Sequence, residues 1–175
     1  KPWPRGRFTT CTGETPAPLL MAKAKSHIPP GFQAVVPYFH VDGAAKFLDF
    51  VKAAFDAEET YRGLTPEGKI MHASAKIGGA VIEVSDTTAQ WGAMSCAIHL
   101  YVPDTDAAYR RALDAGAASL CEPADMFYGE RSAGVTDPFG NKWYIATHME
   151  DMPEEEIEQR QKEFMKMQAQ QSQQQ

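Results

Sequence analysis

Segments of this chain correspond to one another at a constant spacing of 61 residues. Val41 maps onto Val102, Gly79 onto Gly140, and Ile82-Glu83-Val84 onto Trp143-Tyr144-Ile145. A repeat this short cannot bury its own sheet face and must pair with its copy. The spacing therefore constrains the fold more than any single residue does.

The second copy ends in the clearest local pattern, Gly129 to His148 (GERSAGVTDPFGNKWYIATH). Asp137-Pro138-Phe139-Gly140-Asn141 reads as its turn, with Pro138 fixing φ and Gly140 or Asn141 free to take positive φ. Lys142–Thr147 has the β-branched and aromatic content of a strand. The first copy carries a shorter echo, Gly78-Gly79 followed by AVIEV.

In chain order, QAVVPYFHV (33–41) alternates as a strand, with Pro37 marking an edge or bulge. Residues 44–57 form a helix with one apolar stripe, Ala45, Leu48, Val51, Ala54 and Phe55. Three strands follow, at 59–64, 69–77 and 80–85. The second copy repeats the order. CAIHLYV (96–102) is a strand, and Asp104 or Thr105 caps a helix that ends at Gly116. Strands at 119–122, 132–136 and 142–147 complete it. The expected fold class is α+β: two tandem βαβββ units (32–86 and 95–148) forming one curved mixed sheet with a concave pocket and the helices outside.

The flanks differ from this domain of 31–150. Residues 1–30 hold several prolines and carry a net charge of +4, whereas residues 31–150 carry −7. This arm reads as disordered, or as an extension upstream of a natural start at Met21; a cleaved presequence is the alternative. Residues 151–175 read as a helix opened by Pro153 and three glutamates, then a disordered Gln-rich tail.

The chain has 175 residues and a net charge of −6, which disfavours a general nucleic-acid binder. No apolar run approaches the roughly 18 residues of a membrane span. Three cysteines without metal-ligand spacing favour a reducing, cytoplasmic setting. No nucleophilic triad, phosphate loop, dinucleotide fingerprint or CxxC motif is present.

A tandem βαβββ repeat with DPFGNKW in its last hairpin resembles the vicinal oxygen chelate superfamily: glyoxalase I, bleomycin-resistance proteins and extradiol dioxygenases. YFHVDGAAKFLDFVKAAFDAEE, GKIMHASAKIGGAVIEVSD and FYGERSAGVTDPFGNKWYIATHMEDMPEEEIEQR resemble its PhnB-type, glyoxalase-like branch. The resemblance covers about residues 32–162. Function in this superfamily is diverse, so the fold alone settles little.

In metal-using members, each unit supplies one ligand from its first strand and one from its last. The resemblance places these positions at Val36, Glu83, Ala97 and Tyr144. Only Glu83 is a good ligand for a divalent cation, so the usual metal site looks dismantled and glyoxalase I activity is not expected. A shifted set, His40, Glu83, His99 and His148, has acceptable chemistry for Zn, Fe or Ni. Its members are displaced unequally along their strands, by ~6.6 Å for two residues and ~13 Å for four. No cofactor is therefore expected, with a divalent metal (Zn, Ni, Fe or Mn) as the alternative.

The inner-face phase selects Tyr38, His40, Glu83, Ser85, His99, Tyr101 and Tyr144 as pocket residues. Glu83 reads as a general base or ligand anchor, or else as a carboxylate paired with His99, Lys76 or Arg131. Phe127, Tyr128 and Arg131 read as a loop closing over the pocket, or Arg131 as paired with a nearby acid. His72 falls out of phase and reads as a surface or dimer-facing residue. Trp143 reads as packed under a helix.

Three functions follow. The first is a homodimer binding a small organic molecule, cationic given the acidic domain. The second is an enzyme of the superfamily (lyase, isomerase or dioxygenase type) using Glu83 as base or ligand, with His99 or Tyr144 stabilising an oxyanion. The third is an interaction protein acting through its C-terminal helix. Neither nucleic acid nor membrane is an expected partner.

Overall fold

A computed structural model describes residues 24–172. The expectations for residues 1–23 and for the last three glutamines lie outside the described residues.

Both βαβββ units are present. The first comprises β1 (Tyr38–Val41), α1 (Ala44–Phe55), β2 (Glu58–Leu64), β3 (Ile70–Ile77) and β4 (Ala80–Asp86). The second comprises β5 (Ala97–Tyr101), α2 (Thr105–Asp114), β6 (Ala118–Asp125), β7 (Glu130–Thr136) and β8 (Lys142–His148). Helix α3 (Glu154–Ser172) follows.

The strands bond as two four-stranded sheets, β1-β4-β3-β2 and β5-β8-β7-β6, rather than as one continuous sheet. In each, the first and last strands of the unit pair parallel and the hairpins pair antiparallel. The helix between the first two strands of each unit supplies the crossover that such parallel pairing requires. Where the units meet, His40 bridges Met94, and the Cys96 thiol points to the Tyr38 carbonyl at 3.8 Å.

One core serves both units. Phe47, Leu48, Val51 and Ala54 of α1 are fully buried, as are Phe39, Ala73, Ala75 and Val84 beneath them. Trp143 is fully buried too, as its alternation with Tyr144 predicts. Its indole stacks on Phe39 at 5.7 Å between ring centres and leans on Phe55 at 4.7 Å. The indole N–H donates to Asp137 at 3.0 Å.

Asp137 organises the last turn. Its carboxylate also accepts from the backbone of Phe139 and Asn141 and from the Asn141 side chain. The Asn141 side-chain Oδ1 in turn accepts from the Cys96 backbone N–H at 3.0 Å, tying the turn to β5. Gly140, not Asn141, takes the left-handed conformation, at φ 86°.

Three expectations shift. The strand expected over 33–41 begins only at Tyr38. Gln33 instead braces β4 with its side-chain amide, which bonds both the N–H and the carbonyl of Val81. β6 is longer than expected, because it follows β7 along its length past two register shifts. α3 continues through Gln168–Ser172, where a disordered tail was expected; Gln and Ala are good helix formers. No helix among the described residues is long and apolar enough to cross a membrane.

Candidate functional site

Strand alternation turns one face of each sheet toward the helices and leaves the other open. On the first sheet, register places Tyr38 beside Glu83, His40 beside Ser85, and Ser74 beside Glu83. Counting back from the Gly78-Gly79 turn puts His72 on this face as well. His72 is therefore not a surface residue apart from the pocket. Its Nδ1 lies 3.2 Å from the Tyr38 hydroxyl and its Nε2 3.4 Å from the Glu83 carboxylate. The tautomer with hydrogen on Nε2 faces Glu83 and leaves Nδ1 to accept from Tyr38.

Glu83 thus pairs with His72, not with His99, Lys76 or Arg131. His40 is held by Ser85, its Nδ1 3.0 Å from the hydroxyl. Five rings form a row across the face. Tyr61 lies 6.0 Å from His72, His72 5.7 Å from Tyr38, and Tyr38 4.8 Å from His40. His40 stacks against Trp91 at 6.0 Å with ring planes 12° apart. The Trp91 loop is pinned by two hydrogen bonds to Thr88. At this end of the row, Tyr38, His40, Met71, Ser85 and Trp91 line a cavity of about 330 Å³.

The open face of the second sheet carries His99, Tyr101 and Tyr144, with His99 paired to Tyr144 in the register. His99 stacks on Tyr101 at 4.7 Å. The Tyr101 hydroxyl donates to Glu130 Oε1 at 2.6 Å, which raises the phenol above its ordinary pKa. His99 Nε2 stands 3.9 Å from Glu130 Oε2.

The loop expected to close over the pocket turns elsewhere. Phe127 packs on Tyr128 and on Phe164 of α3. Arg131 sits on the opposite face of β7 from Glu130 and forms a fork with Asp106 of α2 and a bond with Asp125. These two carboxylates hold the guanidinium above its ordinary pKa, Asp106 contributing most. Arg131 braces the helix against the sheet.

A metal does not fit the usual positions. Val36 and Ala97 offer no side-chain donor, Tyr144 is a phenol, and Glu83 is engaged by His72. The shifted quartet does not converge: His40 binds Ser85, Glu83 binds His72, His99 stacks on Tyr101, and His148 binds Asp151. Among the described residues, no group of three His, Cys, Asp or Glu side chains is placed to hold a metal ion.

Sequence reasoning missed His72, Tyr61, Trp91 and Glu130. Hairpin register was the available signal for His72 and Glu130. Lys76 pairs Val81 and Thr136 pairs Lys142, so counting back two residues at a time reaches both. Nothing in the sequence marked Trp91, whose loop is placed by tertiary contact.

A sequence profile of the Glyoxalase/Bleomycin resistance protein/Dioxygenase superfamily matches residues 31–145. The Mycobacterium bovis protein Mb0911c is 35% identical over 136 residues, covering 71% of this chain and 90% of its own length. Among solved structures, TioX from Micromonospora sp. ML1 superposes with a TM-score of 0.55 at 24% identity, covering 66% of this chain and 96% of TioX. An Arabidopsis thaliana gene product gives a TM-score of 0.53 at 26% identity, covering 66% of this chain and 98% of its own. The repeat, the paired parallel strands and these matches agree: the chain belongs to the glyoxalase/bleomycin resistance/dioxygenase superfamily.

Proposed function

We propose that this chain binds a small, planar, cationic organic molecule on the open face of its first sheet, without a metal at the superfamily's usual positions. The observation that carries this reading is the row of five rings from Tyr61 to Trp91 with Glu83 beside it. Aromatic faces attract cations by roughly 0.5–2 kcal/mol each, and a partly buried carboxylate adds charge complementarity. The net charge of −6 favours encounter with a cation. In this reading the protein is a PhnB-type member acting in the cytoplasm as a homodimer.

Proflavine, a planar fluorescent cation, is a suitable probe. Glu83→Gln and Trp91→Ala are each expected to weaken its binding by about fivefold. Affinity unchanged in both variants would remove the first sheet from the account.

A second reading, proton transfer, is favoured by the Tyr38–His72–Glu83 sequence of contacts. Glu83 would orient His72, and His72 would exchange a proton with the Tyr38 hydroxyl, which faces the ligand. His99 and Tyr144 lie on the other sheet, where His99 faces Glu130, while Glu83 pairs with His72. The test is hydrogen–deuterium exchange at the α-carbon of 2-aminoacetophenone, followed by proton NMR in heavy water. Exchange that survives Glu83→Gln and His72→Gln would end this reading.

A further inference from the structure

The second sheet holds a polar group that binding on the first sheet leaves unused. Glu130 is 9% exposed. Its Oε1 accepts the short bond from Tyr101, while its Oε2 is buried and has no hydrogen-bond partner among the described residues. A buried acceptor left unmade costs free energy, and native interiors seldom tolerate one.

Two other carboxylates, the buried Asp137 and the half-buried Asp86, are fully served. Asp137 accepts two hydrogen bonds on each oxygen. Asp86 accepts two backbone N–H groups on one oxygen and a third on the other. Glu130 departs from this pattern, and among the described residues no lysine or arginine lies within ion-pair distance of it. His99 Nε2, at 3.9 Å, is too far to hydrogen-bond. About half of the His99 side chain is in solvent, so the ring can swing without breaking a hydrogen bond to another described residue.

The surroundings define an occupant. Tyr101 and Tyr144 expose 60% and 42% of their surface on this face, and His99 stacks on Tyr101. Aromatic faces beside a carboxylate favour a cation. Glu130 also lines a cavity of about 220 Å³ with Met126, Gly129 and Met149 and with the charged Asp125, Glu150 and Arg160, the last of which is already paired with Glu150 and Glu156. A guanidinium binds a carboxylate best through both oxygens, but Tyr101 already occupies one. A primary ammonium needs only the other.

We propose that Glu130 is a binding site for the primary ammonium group of a small molecule with an aromatic stem. Tyr101 fixes the carboxylate, and the rings of His99 and Tyr101 flank the bound cation. The site stands independently of the first-sheet reading.

The test is calorimetry on the full chain with phenethylammonium chloride, and with 2-phenylethanol as the neutral counterpart. The ammonium is expected to bind at least about tenfold more tightly than the alcohol, and Glu130→Gln to remove that preference. Glu67→Gln, which changes an exposed turn carboxylate outside both faces, should leave ammonium binding unchanged, and the proflavine titration reads the first sheet separately, so the two failures are distinct. Melting offers a separate reading: Glu130→Gln should keep or raise Tm, because it removes an incompletely paired buried charge.

Equal affinity for ammonium and alcohol would overturn the proposal, as would ammonium binding that survives Glu130→Gln. A changed sedimentation mass in Glu130→Gln with probe binding intact would assign the carboxylate to a contact between copies, and also overturn it. If Glu130→Gln does not fold, the wild type decides. Cross-relaxation from the bound probe to the His99 and Tyr101 ring protons supports the site, and its absence overturns it.

Discussion

Helices α1 and α2 start at equivalent points of the repeat, and each receives a hydrogen-bond acceptor from the end of its unit's last strand. In the first unit that acceptor is Asp86, which binds the N–H groups of Gly43 and Ala44 and also that of Ile70. In the second it is Thr147, whose hydroxyl accepts from Thr105 N–H and donates to the Val102 carbonyl. The charge has moved. Gly43, at φ 97°, has no side chain to cap α1, so the strand supplies a carboxylate. Asp104 caps α2 by bonding Ala107 N–H, so a neutral hydroxyl on the strand is enough.

The helix braces show the same inversion. In the first unit Glu59 sits between Lys52 of α1 and Arg62. In the second Arg131 sits between Asp106 of α2 and Asp125. One backbone plan thus tolerates opposite charge arrangements, provided every orphan group finds a partner. The open faces obey the same rule less strictly, and ligand chemistry becomes possible there. The first sheet links Tyr38, His72 and Glu83; the second leaves one oxygen of Glu130 unmatched.

The sharpest way to break the comparison is to ask whether the units are independent at all. Trp143→Ala removes a fully buried indole that touches Phe39 and Phe55 of the other unit. It should cost about 3–5 kcal/mol. Unfolding followed by circular dichroism and by tyrosine fluorescence should remain a single shared transition. Two separated transitions would mean that each unit holds its own core. Phe39→Ala should cost a similar amount, with the double variant losing less than the sum because the stacked contact is shared.

Capping gives a smaller, more pointed contrast. Asp86→Ala strands three backbone N–H groups and should cost about 2–4 kcal/mol. Thr147→Val, which strands fewer, should cost about 1–2 kcal/mol. Burial alone would raise the Asp86 pKa, but the N–H groups of Ala44, Ile70 and Gly43 outweigh it and lower the value. Its contribution is therefore present above the ordinary carboxylate value of 3.8 and is lost as pH falls through the depressed folded value. Acid titration of Tm in Asp86→Asn should lose that part of the slope. Equal costs for the two caps in denaturant melts would show that the carboxylate is no better than the hydroxyl.

The braces should matter least. Arg62, opposed by burial and helped by Lys52, lowers the Glu59 pKa to about 2. Glu59→Gln should cost roughly 1 kcal/mol near neutral pH, because all three side chains are partly solvated. That difference should fade as pH drops from 4.5 toward about 2, since the folded value is the depressed one. A urea-melt difference that persists at the acid end would mean that Glu59 acts through packing.

Much of this architecture is legible in the sequence. The repeat spacing, the turn residues and the alternation of Phe39, Val41, Trp143 and Ile145 specify two βαβββ units and the side each strand buries, because strand period and turn stereochemistry are local properties. The same alternation places Tyr38, His40, Glu83, His99, Tyr101 and Tyr144 on the open faces. At the four metal positions that the family resemblance marks, three residues, Val36, Ala97 and Tyr144, are poor ligands.

Only the tertiary structure decided which of these residues meet. His72 joins Tyr38 and Glu83 because hairpin register, counted from a turn six residues away, carries it there. Arg131 leaves the pocket because Asp106 of α2 lies under its strand and Asp125 beside it. Glu130 keeps an unmatched oxygen because the surrounding chain brings it Tyr101 and no second donor. Periodicity tells each side chain which way to face, but partners come from packing between segments far apart in the chain, and a single sequence does not record that distance.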